Sequence, residues 1–577
     1  MTLAKALDAD QRADALEHLA AGELDVLVVG GGIVGVGAAL DAVTRGLKVG
    51  LVEQRDLASG TSSRSSKLVH GGLRYLEMFD FALVKEALEE RGLLLTRLAP
   101  HLVRPVPFLY PLEHAWERPY VGAGVALYDG MAMTGKYDMG VPKHKHVFRK
   151  QLARMAPDIR TDDLHGAIRY YDCQVDDARL VMMIARTAAN NGAHVATRTK
   201  VTGFLREGDR VVGVQARDLE GQRDLEIRAK VVINAAGVWT DEVQELIGGK
   251  AQLDVDASKG IHLVVPKDRI RSECGFITKT EKSVLFVIPW DDFWIIGTTD
   301  TAWDFDLAHP AASKTDIDYL LGHVNRLLKD PLDHRDVIGV WAGLRPLLKP
   351  MRKEGEMGET TKLSREHTVT SPVPGLVLVA GGKLTTYRVM ARDAVDHALK
   401  HSSTDSGGSA PTSASITDRV PLMGAWGFEA RTNQRVALSR ASGLEIGVID
   451  HLLGRYGGLV DEVLALIHER PELGEPLPGA EHYLRAEVLY AATHEGARHL
   501  DDVLARRTRV SIETFDRGIH AARPAAELMA EALGWDAAQV DDEVDHYLRR
   551  VEAERQSQLM PTDQEADEAR VKAPEIV

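Results

Sequence analysis

Asp25-Val-Leu-Val-Val29 runs straight into Gly30-Gly-Gly32-Ile-Val-Gly35, and after an apolar stretch to Arg45 the chain continues as Lys48-Val-Gly-Leu-Val52 and reaches Glu53. A short β-branched run, a glycine turn, a helix-length apolar segment and a second β run make the start of a βαβ unit. In that setting Gly30 allows the tight turn, Gly32 lets backbone N–H groups approach a pyrophosphate at the helix N-terminus, and Gly35 lets helix and strand pack closely. Glu53 ends the second strand, eighteen residues beyond Gly35, where a carboxylate can hold the hydroxyls of an adenosine ribose. The bland alternative is a glycine-rich βα turn with no ligand.

Outward from this unit, Arg210–Ala216 and Asp224–Arg228 flank a turn at Glu220-Gly221 and lead into Val231-Val-Ile-Asn-Ala-Ala-Gly237, which predicts a hairpin feeding a buried strand. Ile261–Val265, Ser283–Ile288 and Phe293–Ile296 alternate in period two and predict an antiparallel substrate or lid sheet. Leu376–Ala380 returns to a parallel-type strand, followed by Gly381-Gly382 and a helix to about Lys400. The fold class expected is α/β: a Rossmann-type nucleotide-binding domain with an inserted antiparallel-sheet domain, plus an all-α C-terminal domain. Its boundaries are a helical arm at 1–23 and a nucleotide-binding domain within 24–401 (24–105, 160–245, 335–401), interleaved with a substrate domain (106–159, 246–334). A Ser- and Gly-rich linker at 402–417, a helical domain at 418–550 and a frayed acidic tail at 551–577 complete the chain. Glu481–Val503 and Ile512–Leu533 are expected as helices, with no strand signal in the C-terminal part.

Composition narrows the function classes. With 577 residues, 44% hydrophobic and 27% charged, the chain is an ordinary multidomain globular one. A net charge of −15 argues against a broad nucleic-acid surface, so an anion site must be local. Cys173 and Cys274 are far apart with no CxxC, which excludes a disulfide framework and a thiolate cluster and suits a reducing cytoplasm. Asp8, Asp10, Glu17 and Glu23 make the N-terminal stretch unlike a secretory signal, and no segment reads as a membrane span. GxSxG, HExxH and Cys/His ligand spacings are missing from the sequence, so hydrolase and metal readings have no support.

A second glycine, hydroxyl and cation cluster, Gly60-Thr-Ser-Ser-Arg-Ser-Ser-Lys-Leu-Val-His-Gly-Gly-Leu-Arg-Tyr75, follows Glu53, and an NAD domain has no common use for it. With Gly30–Gly35, Glu53, Val232-Ile-Asn-Ala-Ala-Gly-Val-Trp239 and Val377-Leu-Val-Ala-Gly-Gly-Lys-Leu-Thr385, it resembles the flavoproteins of the D-amino-acid-oxidase type. Ser65–Glu77, Gly297-Thr-Thr-Asp300, Gly343-Leu-Arg-Pro346 and Gly381-Gly-Lys-Leu-Thr-Thr-Tyr-Arg388 are similar, within that group, to the FAD-dependent glycerol-3-phosphate dehydrogenases. Ala486–Ala497 and Leu500–Arg509 resemble their helical C-terminal domain, so the likeness covers roughly 24–540.

The resemblance implies FAD as cofactor and oxidation of sn-glycerol 3-phosphate to dihydroxyacetone phosphate, with electrons passed to quinone at the inner membrane surface. It implies cofactor contacts from Gly30, Gly32, Gly35, Glu53, Thr61, Ser62, Ser65, Ser66, Lys67, Leu68, Val201, Gly343, Gly382, Leu384 and Thr385. Arg74, Tyr75 and Arg365 are the phosphate-side candidates, because a guanidinium fork matches phosphate geometry, with His262 beside them in the substrate pocket. Arg345 and Lys383 belong near the reacting carbon, where positive charge stabilises a forming alkoxide. His70, four residues before Arg74, is chosen as general base over His262 and His367. Metal ligands and nucleic acid are not expected, Arg506-Arg507-Thr508-Arg509 is by default a solvated helix face, and a homodimer is carried as an expectation. Two other classes stay in view: a related flavin oxidase using oxygen or acting on an amine, and a non-enzymatic FAD-fold protein.

Overall fold

The structure, a computed structural model, describes residues 5–248, 253–280, 284–348, 367–406 and 413–573, without the side chains of Arg74 and of residues 401–406. The glycine fingerprint sits at the centre of a sheet. Strands His194–Ala196, Val49–Val52, Glu23–Val29, Arg223–Asn234 and Leu376–Gly381 lie side by side in parallel, and His367–Thr370 closes one edge antiparallel. Where they are buried on both faces, at Val26–Val29, Val49–Val52, Val231–Ile233 and Leu376–Ala380, the strands read as nearly continuous apolar runs. Helices Ile33–Thr44, Asp177–Asn190 and Tyr387–Ser406 cover one face. The other face is covered by the hairpin of Thr199–Glu207 and Arg210–Asp218 and by the N-terminal helix Ala9–Ala21, whose Leu16 and Leu19 join the core. All five parallel strands point their carboxyl ends at one crevice, where open α/β sheets bind their ligands.

The second sheet has ten strands, and near one edge of it Val255–Pro266 is flanked by Gly339–Leu348 on the outer side and Phe293–Gly297 on the inner. Two strands that sequence reading assigned to the nucleotide-binding layer, Gly166–Gln174 and Gly339–Leu348, belong to this sheet instead. Their inner and outer residues are both largely covered, so the period-two alternation that marks an antiparallel strand is weak in them.

Beyond residue 413 the chain is mainly helical, with two cores. Sequence reading missed a strand pair there: Ala480–Leu484 pairs with Pro476–Leu477 before helix Arg485–His494 begins. The tail expected to fray is docked as far as it is described. Helix Asp563–Arg570 buries Ala566, and Asp563 bonds the buried Lys259 ammonium at 2.6 Å. The arginine run taken for a solvated face is an interdomain seam. Arg506 and Arg507 both meet Asp56 at 2.6 Å, and Arg509 meets Asp176 and Asp177 at 2.5 Å, all with little exposure. Buried charges persist only when paired, and the guanidinium fork lets one side chain serve several carboxylates. His499 adds a bridge from Glu220 to Glu543, which holds the Glu220 carboxyl down at about 2 against the opposing effect of burial. No described helix is long and apolar enough to cross a membrane.

Candidate active site

A cavity of about 370 Å³ opens in the crevice. Its walls run from Glu53, Arg55 and Val201, past Gly30, Gly32 and Ser59–Ser62, to Gly381–Leu384 and Met390. At the turn Gly30 has φ +112, and a β-carbon there would press on the Ala235 carbonyl at 2.7 Å. A β-carbon on Gly35 would collide with the Gly30 carbonyl oxygen, whereas one on Gly32 would meet only Ser62 Oγ, at 3.2 Å. Gly30 and Gly35 therefore shape the turn and its packing, and Gly32 leaves the helix start open to a ligand. The Glu53 carboxylate accepts from Gly31 N at 2.6 Å and Arg55 N at 2.7 Å, and burial raises its pKa against those bonds. An elongated cleft with an acidic ribose-side residue, a glycine helix start and a second glycine turn fits a flavin dinucleotide. Gly30, Gly32, Glu53, Thr61, Ser62 and Val201 would hold its nucleotide half, and Gly382, Lys383 and Leu384 its other end.

The loop after Ser62 is committed elsewhere. Ser65 donates from N and Oγ to Asp177, Lys67 gives its buried ammonium to Asp177 at 2.8 Å, and Ser66 Oγ bonds His262 Nε2 at 2.8 Å. Leu68 enters a two-residue strand against Gln174. These four residues, expected at the cofactor, are not among those that line the cavity, and their bonds fix the path of the loop. Gly343 also packs rather than lines: a β-carbon there would collide with the Arg64 carbonyl oxygen. Lining residues that the sequence did not single out as cofactor contacts include Arg55, Ser59, Lys200 and Glu242. Ala235-Ala236-Gly237, which also line the cavity, follow a parallel strand and lie within the motif Val232–Trp239 that carried the resemblance.

At the Lys383 end two distant segments meet. Thr385 Oγ1 accepts from His70 N at 3.1 Å and donates to His70 O at 3.3 Å, and Lys383 Nζ stands 3.6 Å from the centroid of the Tyr75 ring. The ring of Tyr75 is buried, and the ammonium over its face is held by cation–π attraction. His70 lies 6.4 Å from Phe286, which pairs with Gly297, itself paired with His262. A β-carbon on Gly297 would collide with the His262 imidazole, so the glycine makes room for it. His262 stacks on Trp341 at 4.8 Å, and burial, then Arg345 and Lys67, drive its pKa well below the ordinary value. Arg345 projects from the same sheet face: Nη2 lies over Gly260 and bonds Thr298 Oγ1 at 3.2 Å, while Nη1 meets Asp300 at 3.3 Å. Arg365 lies outside the described residues, as does the side chain of Arg74, whose backbone is in the short helix Leu73–Leu76.

Two family models match the chain, FAD dependent oxidoreductase over residues 25–396 and the C-terminal domain of alpha-glycerophosphate oxidase over 415–540. Glycerol-3-phosphate dehydrogenase 2 of Mycobacterium tuberculosis is 54% identical over 573 residues, covering 99% of this chain and 95% of that one. The mitochondrial glycerol-3-phosphate dehydrogenase of Homo sapiens is 37% identical over 536 residues, covering 89% and 71%. Among solved structures, the glycerol-3-phosphate dehydrogenase from Bacillus halodurans complexed with FAD superposes with a TM-score of 0.76 at 29% identity, covering 95% of this chain and 98% of that one.

Proposed function

This chain belongs to the FAD-dependent oxidoreductases and, among them, to the glycerol-3-phosphate dehydrogenases, and from that membership we propose that it oxidises sn-glycerol 3-phosphate to dihydroxyacetone phosphate and passes the electrons to a membrane quinone. The observation that carries the substrate assignment is the meeting of His70 and Tyr75 with Lys383 and Thr385 at one end of the dinucleotide cavity. FAD, when bound, supplies the acceptor for the hydride leaving the alcohol carbon. The chain does the rest by position and charge. His70 takes the hydroxyl proton, a task to which His262 is unsuited because its pKa is held low and Nε2 is engaged by Ser66. Lys383 and Arg345 stabilise negative charge growing on the alcohol oxygen. Arg74, Tyr75 and Arg365 hold the phosphate, and His262 borders the pocket.

The test is anaerobic. Addition of sn-glycerol 3-phosphate should bleach the flavin band, while glycerol and amino acids leave it yellow. Bleaching by an amine alone would sink the assignment.

A surface feature supports the quinone half of the reading. Helix Glu117–Met133 buries Gly122, Val125 and Tyr128 but turns Tyr120, Leu127 and Met133 outward, at 57%, 46% and 53% exposure. Neighbouring Met78, Phe79 and Phe81 are exposed as well. A helix with apolar residues on its outer face and no charge among them suits an interface of lipid acyl chains, not water. The same helix shares a core with Tyr75, so the apolar face backs onto the site. Leu127→Asp with Met133→Asp should weaken sedimentation with phosphatidylethanolamine–phosphatidylglycerol vesicles by about tenfold or more, with dye reduction unchanged; full retention would remove this face from the reading. Oxygen is the second acceptor to test, because the C-terminal match is to a domain described from an oxidase. Peroxide formed in air at the rate of flavin reduction would favour it.

A further inference from the structure

A second cavity, of about 150 Å³, lies on the other side of the Ser59–Arg64 segment from the dinucleotide cleft, where that segment meets the C-terminal helices. Arg64, Arg506, Arg550 and Arg570 face it, and Asp501 and Glu554 are the carboxylates in its walls. Asp501 is shared by Arg506, at 2.8 Å, and Arg550, at 2.5 Å. Glu554 is shared by Arg550, at 2.9 Å, and Arg570, at 3.3 Å. Arg64 donates to the Ala308 carbonyl at 3.1 Å and forms no ion pair among the described residues. Arg570 is 4% exposed, yet its Nη1 has no hydrogen-bond partner among the described residues. Arg506 is also served by Asp56 and Asp502, both at 2.6 Å, so what is left over is Arg64 and the Nη1 of Arg570, an arrangement that costs stability unless an anion completes it.

We propose that this cavity is a binding site for a tetrahedral oxyanion of the phosphate class, either inorganic phosphate or the terminal group of a small phosphate ester, which clamps Arg64 to Arg550 and Arg570 of the C-terminal helices. A planar carboxylate is served by one fork, whereas guanidiniums arriving from three directions match the oxygens of a tetrahedral ion. The electrostatics agree. Burial and the neighbouring Arg570, Arg506 and Arg550 pull Arg64 down to about 9, and burial with Arg570, Arg64, Arg55 and Arg550 pulls His309, on the same wall, down to about 3. The site is distinct from the proposed substrate pocket, whose cations Arg345 and Lys383 do not line it. Its occupant would tie the segment that carries Thr61 and Ser62 to the C-terminal domain, and so bear on retention of FAD.

The experiment follows release of FAD fluorescence during thermal unfolding of the holoenzyme, with inorganic phosphate, glycerol 2-phosphate or chloride at matched ionic strength. Phosphate should raise the wild-type midpoint by about 2–5 °C over chloride. Arg64→Gln and Arg570→Gln should each lose most of that increment, and Arg345→Ala should keep it. In chloride, Arg64→Gln should unfold no earlier than wild type, because it removes an uncompensated charge; a merely structural arginine would instead destabilise the protein in both buffers. An equal response to both anions assigns the site to inorganic phosphate, and a larger response to the ester assigns it to an ester group. No phosphate increment in wild type, or an increment that survives in both Arg64→Gln and Arg570→Gln, overturns the proposal.

Discussion

Lys383→Met is expected to bind FAD, keep its visible spectrum and be reduced by sn-glycerol 3-phosphate slower by a factor on the order of 10² to 10³, the loss typical of removing one preorganised charge from a developing oxyanion. Methionine keeps most of the volume over the Tyr75 ring, so the change is chiefly one of charge. The backbone that continues the cavity wall at Gly382 and Leu384 is untouched. Anaerobic stopped-flow mixing separates the outcomes. A fall in the limiting reduction rate with little change in half-saturation places Lys383 at the reacting oxygen, whereas a rise in half-saturation alone moves it to the phosphate. Reduction within about threefold of wild type would falsify both roles. Tyr75→Phe keeps the aromatic face 3.6 Å from the ammonium and should leave the limiting rate nearly intact; any loss it shows belongs to the phenol hydroxyl.

How much of this was readable in advance depends on the range over which the deciding interaction acts. Gly30, Gly32, Gly35 and Glu53 are constrained by neighbours within one βαβ unit, so their spacing carries the message. Arg506 is the opposite case. Its partner Asp56 is 450 positions away, and a run of arginines near the end of a chain reads as solvated until the fold supplies the carboxylates. The docked tail follows the same rule, since Asp563 is held by Lys259 across 304 positions. Motif resemblance brought His70, Tyr75 and Lys383 into one list, but only the fold puts Thr385 on the His70 backbone. It also gives Gly297 and Gly343 a purpose that spacing could not: each clears room for a specific neighbour, the His262 imidazole or the Arg64 carbonyl. Alternation failed for Gly166–Gln174 because covering both faces of a strand erases its period.

Gly35→Val should yield a protein with little or no bound flavin. Gly35 lies in the first turn of helix Ile33–Thr44, and its missing side chain lets the helix descend onto the Gly30 carbonyl, with Val28 beneath. A β-carbon at that point meets backbone, which has no rotamer to yield, so the helix must lift from the strand end. Lifting it displaces Gly32 and the N–H groups of the first turn, the donors that a pyrophosphate needs. Overpacking of this kind costs about 3 kcal/mol or more, on the order of a hundredfold in affinity if the strain falls on the FAD-bound geometry. The flavin-to-protein absorbance ratio after gel filtration measures the loss, and added FAD should not restore it at micromolar concentration. Gly22→Ala is the matched control, because a β-carbon there meets nothing within 4 Å. If Gly35→Val retains full flavin while remaining folded, the helix start is not where the dinucleotide is held. In that case the cavity between Glu53 and Lys383 would need another occupant, since the Glu53 carboxylate fixed on Gly31 N would have no ribose to meet.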